Sequence, residues 1–329
     1  MTAAAAPMER KQGSAWRRLL RDQPLIPLSV LLGALVLLVW AVSPATRDVG
    51  WVTVIVRASV PLAILAGCQT LTMLTGGIDL SVGYVASMAG FVTATFLNQP
   101  GGWPLGVAVA IGAAVLVGLV NGIGVGVFKV HPLIVTLGMG LVVLGVSNVW
   151  QLRMLQTGSG IPIELRTMGS GLFADVLPYS LLVFVPLAVI IIVGLRRTGY
   201  GRMLYAIGDN PVAARLSGVR SWQVLVVLYV ISSVLAAIAG LIFAGFTNTA
   251  SVTLAASQLL PSVAAAVIGG TSIAGGRGSF TGTIVGALIL SVLSALLTIM
   301  LLPEPFRQIV FGSIVVLVAA AYTRATTES

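Results

Sequence analysis

The feature that most restricts the fold of this sequence is a series of long apolar runs separated by short polar breaks. Runs of about 20 apolar residues have the length of a helix that crosses a lipid bilayer, and they lack the alternation that marks the strands of a membrane barrel. Only 8% of the residues are charged, against about 25% in soluble globular proteins. We therefore predict an all-α, polytopic membrane helix bundle, in which the 38 glycines let helices pack closely.

The order of the apolar runs predicts about ten transmembrane helices. They are expected at residues 25–43, 52–75, 81–98, 103–128, 132–152, 179–195, 222–246, 257–274, 281–301 and 305–323. An even number places both termini on one side, and the excess of basic residues there indicates the cytoplasm. The predicted division is a cytoplasmic N-terminal segment at 1–24, a transmembrane domain at 25–323 with a cytoplasmic loop at 196–221, and a cytoplasmic tail at 324–329.

Charge and reactive residues exclude several classes of function. The net charge of +9 reflects membrane topology, because the basic residues lie at the ends of apolar runs; membrane lipid is an expected partner and nucleic acid is not. Cys68 is the single cysteine, and no Cys or His cluster has the spacing of a metal site. His131, the single histidine, precedes Pro132 and fits an interfacial turn better than a proton relay. We predict no catalytic residue, no metal and no cofactor in this chain.

The stretch from Arg196 to Ser221 is the one long polar break in the second half of the chain, and it carries five arginines. Asn210 and Pro211 are typical of a helix start. The Asn side chain accepts from amides that are free there, and Pro at the first helical position lacks only an amide that would have no partner within the helix. Gly218 is typical of a helix end. The pattern predicts a helix of about two turns, which is marginal alone in water. It is either a solvated connecting loop or a segment that the membrane surface or a partner stabilises.

A double glycine and one carboxylate interrupt the apolar sequence at Thr75–Gly83. A charge near lipid is costly, so Asp79 must cap a helix, pair or reach water. One interpretation is structural, with Asp79 and Ser81 capping the helix that begins near Val82. The other gives Asp79 a direct role in transport or in subunit contact.

A second glycine-rich break, at Gly269–Ser279, looks superficially like a phosphate-binding loop. It lacks the Gly-Lys-Ser/Thr ending and a preceding strand, so nucleotide binding by this chain is excluded. A non-helical joint within a membrane protein needs other helices or water to satisfy its backbone.

Together and in this order, three stretches resemble the permease subunits of ribose-type ATP-binding-cassette importers. They are TGGIDLSVG at 75–83, GYGRMLYAIGDNPVAARLSGV at 199–219 and AAAVIGGTSIAGGRGSFTGTIVGALIL at 264–290, with a fainter likeness at 121–139. The resemblance covers roughly residues 50 to 320. It implies a multi-pass subunit of the bacterial inner membrane that has no ATPase site of its own.

The resemblance also implies partners and site residues. It implies a second permease copy, identical or not, a cytoplasmic ATPase that binds ATP and Mg, and an extracytoplasmic solute-binding protein. The residues expected to couple the ATPase to the permease are Gly208, Asp209, Asn210, Pro211, Ala213, Ala214, Arg215 and Gly218. The residues that carry the family motif are Gly76, Gly77, Asp79, Ser81, Gly269, Gly270, Gly275, Gly276, Arg277 and Gly278.

Polar residues within the apolar runs are candidates for the solute pathway, because polar side chains in membrane helices tend to face the bundle interior. The candidates are Gln69, Asn121, Asn148, Gln151, Asn248 and Gln258. Amides suit neutral hydroxylated solutes, although hydrogen bonds between helices explain the same residues equally well. Where many relatives carry an acidic residue, this chain has the sequence Ser257–Ser262, and Pro261 suggests a kink.

The expected function is that of an importer permease for a sugar or a related neutral solute. An ion- or proton-coupled secondary transporter is the main alternative; it would need a charged site inside the membrane, and Asp79 is the one candidate. A membrane-embedded enzyme would need a catalytic constellation, and none is visible. An exporter component would work without an extracytoplasmic binding protein.

Overall fold

The computed structural model describes residues 25–154 and 160–327. The predicted N-terminal segment at 1–24 and the last two residues of the predicted tail therefore lie outside the described residues. The helices are α1 Leu25–Val42, α2 Val49–Met73, α3 Val82–Thr95, α4 Gly102–Gly126, α5 Pro132–Met154, α6 Ile163–Ser170, α7 Ser180–Arg197, α8 Gly199–Asp209, α9 Pro211–Leu216, α10 Ser221–Thr247, α11 Leu259–Ile268, α12 Phe280–Ile299 and α13 Glu304–Thr327. Two short strands, β1 Leu172–Phe173 and β2 Leu177–Pro178, pair antiparallel, and 3₁₀ turns occupy Pro44–Thr46 and Ala256–Gln258.

Helix α10 lies at the centre of the bundle and packs against α2, α3, α4 and α6. Its contact with α4 depends on small residues one turn apart. A Cβ added to Gly118 or Gly122 would lie 2.5 Å from the Cα atom of Val230 or Val226, respectively. Glycine thus lets the two backbones approach closely, which is the usual way in which membrane helices gain packing energy.

A second group of helices is built around α12, which packs against α1, α2 and α11. The Oγ1 atoms of Thr70 on α2 and Thr283 on α12 lie 2.6 Å apart and are hydrogen-bonded in a fully buried position. Helix α2 belongs to both groups because it also contacts α10. It therefore connects the two halves of the bundle.

Seven of the described helices are long and apolar enough to cross a membrane: α1, α2, α4, α5, α7, α10 and α12. This confirms the prediction of an all-α polytopic membrane protein. A helix lies at each of the ten predicted spans, but α3 has 14 residues and α11 has 10. The ten crossings and the cytoplasmic position of both termini stay predictions.

The backbone that leads into the short helix α11 is buried in protein. The amide of Ala255 is buried and donates to Ser87 Oγ on α3 at 2.9 Å. Non-helical backbone is tolerated at membrane depth only when protein groups satisfy it in this way. Helix α11 by itself is about 15 Å long. The buried irregular segment before it lengthens the path of the chain through the bundle.

The two ends of the bundle differ. At one end, which we call the α6 end, α6 and the β1–β2 hairpin pack on α2 and α10. Arg57 Nη1 donates to the Ser170 carbonyl at 2.6 Å, and its guanidinium lies 5.5 Å from the ring centroid of Phe246. Helix α7 leads from there to the opposite end, the α9 end, where α8 and α9 lie.

Candidate functional site

Helix α9 has the start and the end that the sequence predicts. Asn210 Oδ1 accepts from the amides of Val212 and Ala213 at 3.0 and 2.9 Å, and Pro211 occupies the first turn. Gly218, with φ +86°, follows the helix in the left-handed region that favours glycine. The hydrogen bonds satisfy amides that would otherwise be free at the helix start.

The exposed face of α9 is apolar. Val212 is 64% exposed and Leu216 is 84% exposed, whereas Ala214 is buried against the chain. Ala213 and Arg215 lie on the exposed side. A face of this kind on a helix of six residues is suited to contact another surface rather than to remain in water.

Helix α8 corrects the sequence analysis, which treated residues 196–221 as a loop with one short helix. Residues 196–197 end α7, and Gly199–Asp209 form a separate helix whose last residue is Asp209. Thr198 Oγ1 caps α8 by accepting from the Gly201 amide at 3.1 Å. Leu204 and Ile207, spaced as one helical face, are buried. That apolar spacing was the available signal, which the many polar neighbours obscured.

The end of α8 meets both glycine-rich breaks. A Cβ added to Gly208 would overlap the Leu74 carbonyl oxygen and would lie 2.5 Å from the Gly276 amide nitrogen. The Gly276 amide in turn donates to the Leu74 carbonyl at 3.0 Å. Gly76, Gly275 and Gly276 have φ values of +77°, +94° and +72°. We call the contact of Leu74, Gly76, Gly208, Gly275 and Gly276 the glycine junction; it joins the three stretches that the sequence analysis singled out.

A second tie fixes α8 to the break before α12. Tyr205 Oη donates to the Gly278 carbonyl at 2.8 Å, and partial burial raises the pKa of Tyr205, so the hydroxyl keeps its proton. The break closes on itself where the Ser272 amide donates to the Arg277 carbonyl at 2.9 Å. Arg277 itself is exposed.

The remaining motif glycines serve close packing or the turn. A Cβ on Gly77 would lie 2.8 Å from Tyr229 Oη, and one on Gly269 would lie 2.5 Å from the Thr283 amide nitrogen. Gly270 has φ +88° and open space around it. These contacts set the sharp turns between α2 and α3 and between α11 and α12.

Asp79 is fully buried in a hydrogen-bonded network. Its Oδ1 accepts from the Ser81 amide at 3.0 Å and from Ser81 Oγ at 2.6 Å, while Oδ2 accepts from Ser232 Oγ on α10 at 2.8 Å. Ser81 precedes α3, but its side chain makes no capping hydrogen bond. The expected Ser81 cap is therefore wrong. The Asp79 carboxylate accepts from the amide that directly precedes α3 and also ties the break to α10. Its complete burial leaves no surface for contact with a second subunit.

Two of the predicted pathway residues belong to this network. Gln69 Nε2 donates to the Asp79 carbonyl at 2.9 Å and Gln69 Oε1 accepts from the Asp79 amide at 3.3 Å. Asn121 Nδ2 donates to Ser81 Oγ at 2.9 Å. Both side chains are fully buried. In this conformation Gln69 joins α2, and Asn121 joins α4, to the break before α3.

The other predicted pathway residues do not come together. Asn148 and Gln151 are exposed on α5, and Asn248 ends α10 in the left-handed conformation. Of the six, Gln258 alone lines a cavity of about 590 Å³ at the α6 end of the bundle. This α6-end cavity lies between α2, the end of α10, α11, α12 and the start of α13.

The described part of the chain contains no group of three or more His, Cys, Asp or Glu that could hold a metal ion. His131 Nδ1 accepts from the Leu133 amide at 3.3 Å, as expected for a turn before α5. The candidate site consists of three parts: the exposed helix α9, the glycine junction and the α6-end cavity.

The comparisons with known proteins are consistent. Residues 52–319 match the family described as branched-chain amino acid transport system / permease component. The fructose import permease protein of Rhizobium meliloti is 33% identical over 82% of this chain and 76% of its own length. The ribose import permease protein of Escherichia coli K12 is 32% identical over 96% of this chain and 97% of its own. The galactofuranose transporter permease protein of the same strain is 33% identical over 80% and 77%. No solved structure matches the chain.

Proposed function

This chain belongs to the family of permease components of branched-chain amino acid transport systems, as a ribose-type ATP-binding-cassette permease of the bacterial inner membrane, and from that premise we propose that it forms the translocation pathway for a sugar or a related small neutral solute. Its relatives import fructose and ribose and transport galactofuranose, according to their names. A separate cytoplasmic ATPase, which binds ATP and Mg, drives the transport through α9.

The proposed topology has ten crossings, with both termini and the α9 end in the cytoplasm. Arg196, Arg197, Arg202, Arg215 and Arg220 cluster at the α9 end, as the excess of basic residues on cytoplasmic sides would require. Residues 25–323 then form the permease domain, flanked by cytoplasmic segments at 1–24 and 324–329. The α6 end faces the extracytoplasmic solute-binding protein, and a second permease copy completes the complex.

The exposed apolar face of α9 is the observation that carries the proposal. Val212 and Leu216 are exposed on a helix that is capped by Asn210. Ala213 between them permits close approach, and Arg215 can pair with a carboxylate of a partner. Gly208, at the end of α8 directly before α9, packs against the backbone of both glycine-rich breaks. A push on α9 is therefore transmitted to α2 and α12 through backbone contacts.

Replacing Ala213 with tryptophan tests this role. The side chain at position 213 is exposed in the isolated chain, so Ala213→Trp is expected to leave the permease folded and inserted but to reduce ATP-driven uptake by about tenfold or more, equivalent to a loss of about 1.4 kcal/mol of productive contact. The measurement combines co-purification of the cassette ATPase from gently solubilised membranes with sugar uptake.

Ala214→Trp is the matched comparison. Position 214 is buried, so a large side chain there should lower the thermal stability of the permease itself. Normal uptake and ATPase retention in Ala213→Trp would overturn the coupling role of α9.

A secondary transporter is the second candidate because Asp79 is a fully buried carboxylate. Its oxygens already accept from Ser81 and Ser232, which favours a structural role. Uptake that persists in vesicles without ATP, and collapses when ion and proton gradients are removed, would favour this candidate. Uptake that needs ATP inside the vesicles favours the importer.

A further inference from the structure

Two of the walls of the α6-end cavity are single faces of the helices α2 and α12. Trp51 and Leu62 on α2 are eleven residues apart, three turns along one face, and Ser291, Ser294 and Thr298 form a stripe on α12. From Trp51 to Leu62 the wall extends about 16 Å at 1.5 Å per residue. This is about half the thickness of the hydrocarbon core of a bilayer.

Four polar side chains of the cavity are available to a ligand. The side chains of Ser257, Gln258, Ser291 and Ser294 line it, and none of them has a hydrogen-bond partner among residues 25–154 and 160–327. By contrast, the buried Ser262, on α11 but outside the lining, donates to the Leu259 carbonyl at 2.6 Å. Serine hydroxyls and a glutamine amide offer neutral donors and acceptors.

The charge of the lining selects among solutes. Among the described residues, Arg307 is the one charged residue that lines the cavity, and its Nη1 donates to Thr298 Oγ1 at 3.0 Å. No carboxylate is among the lining residues that the structure describes. An ammonium group would therefore lose its water without gaining an ionic partner, which is costly. A neutral solute meets no such penalty.

Aromatic rings from Trp51, Phe243, Phe246 and Phe311 also line the cavity, together with aliphatic side chains. A cavity that is mostly apolar and aromatic, with a few polar groups, is the common form of a small-molecule site, and about 590 Å³ is within its usual size. Flat aromatic faces suit the C–H faces of a sugar ring, while its hydroxyls suit serine and glutamine.

The cavity is closed toward the α9 end. The hydrogen bond between Thr70 and Thr283 joins α2 to α12, and the buried side chains of Met73, Val263 and Val267 pack together outside the lining. The cavity therefore ends before the glycine junction.

Resting on the import function proposed above, we propose that the α6-end cavity is a monosaccharide site within one subunit, where Gln258, Ser291 and Ser294 hydrogen-bond the sugar hydroxyls. The sugar enters from the extracytoplasmic side and rests there until α2 and α12 rearrange. The site takes neutral polyhydroxylated solutes rather than amino acids.

Thiol accessibility tests the site with three candidate sugars as probes. In intact cells Ser294→Cys is expected to react with a membrane-impermeant thiol reagent. D-Ribose, D-fructose or D-galactose should slow this reaction roughly tenfold, the factor that mass action gives at about ten times the dissociation constant. Adding Gln258→Leu should leave the labelling but weaken sugar binding about fivefold, as the loss of a hydrogen bond predicts, so the same sugar concentration should slow the reaction only about threefold.

The chain provides its own controls. The unsubstituted protein should stay unlabelled, because Cys68 is its single cysteine and is fully buried. Ser262→Cys, fully buried, should also stay unlabelled, and exposed Thr298→Cys at the mouth should react. Ser291→Cys serves as a second reporter should Ser294→Cys fail to insert.

The outcomes separate this inference from the import function. Labelling of Thr298→Cys but of neither reporter would show a closed wall and overturn the site. Protection by L-leucine but by none of the sugars would overturn the solute class. Labelling that no solute slows would overturn the binding role. ATP-driven sugar uptake by the unsubstituted chain, measured in parallel, tests the import function separately.

Discussion

The glycine junction and the α6-end cavity lie at opposite ends of α2 and α12 and are opposite in character. At the junction, Gly208 and Gly276 bring backbone against backbone around the end of α2. At the other end, α2 and α12 line a cavity of about 590 Å³, where the side chains of Ser257, Gln258, Ser291 and Ser294 have no hydrogen-bond partner among the described residues. Close-packed contacts transmit displacement, whereas open space permits it. The comparison indicates a bundle that is driven at its packed end and changes shape at its open end.

Between the two regions, the Asp79 network holds the break before α3 to α10. The side-chain amide of Gln69 is hydrogen-bonded to both the backbone carbonyl and the backbone amide of Asp79. The network fixes the helix pair α2 and α3 to the central helix α10. A displacement at the glycine junction therefore moves these helices together. We expect loss of the network to cost less stability than damage to the junction.

The largest effect on stability is expected from Gly208→Ala. The new methyl group would overlap the Leu74 carbonyl oxygen, and backbone cannot move aside as a side chain can. Overpacking of this kind costs about 3 kcal/mol. The measurement is the thermal unfolding of the detergent-solubilised permease, together with ATP-driven uptake, which should be lost.

Gly194→Ala is the matched control, because it makes the same change in helix α7 where no heavy atom lies within 4 Å of the added Cβ. It should be neutral or stabilising by up to about 1 kcal/mol, the difference in helix propensity. Equal stability of the two variants would mean that the junction is not packed as described.

A smaller effect is expected from Ser232→Ala, which removes the donor to Asp79 Oδ2. Loss of a buried hydrogen bond to a carboxylate costs about 2 kcal/mol. Ser233→Ala is the control: Ser233 is also fully buried, but its hydroxyl has no partner within the part of the chain that the structure describes, so the change should be close to neutral. The test is the difference between the two unfolding temperatures, and a reversed order would contradict the network.

The sequence predicted the local parts of this arrangement well. The Asn210-Pro211 start and the Gly218 end of α9 depend on neighbours in the chain, and so do the turns at the glycine breaks. The sequence could not show that Gly208, Leu74 and Gly276 meet, because that contact joins residues far apart in the chain. Gln69 and Asn121 show the same limit. An amide in an apolar run signals a polar partner, but only the fold shows that the partners are Asp79 and Ser81.

The smallest effect on stability is expected at the open end, where Ser294→Leu adds an apolar side chain to the cavity wall. Ser294 is half-buried and forms no side-chain hydrogen bond with the described residues, so the unfolding free energy should change by less than about 0.5 kcal/mol. Uptake should nevertheless fall at least as strongly as in Gly208→Ala, because the added volume occupies the proposed sugar site. Ser291→Ala, which removes only one proposed hydrogen bond to the sugar, should weaken sugar binding no more than about fivefold and so reduce uptake less than Ser294→Leu. A Ser294→Leu protein that transports normally would show that solute bypasses the cavity, and the open end would then be a packing gap beside the pathway.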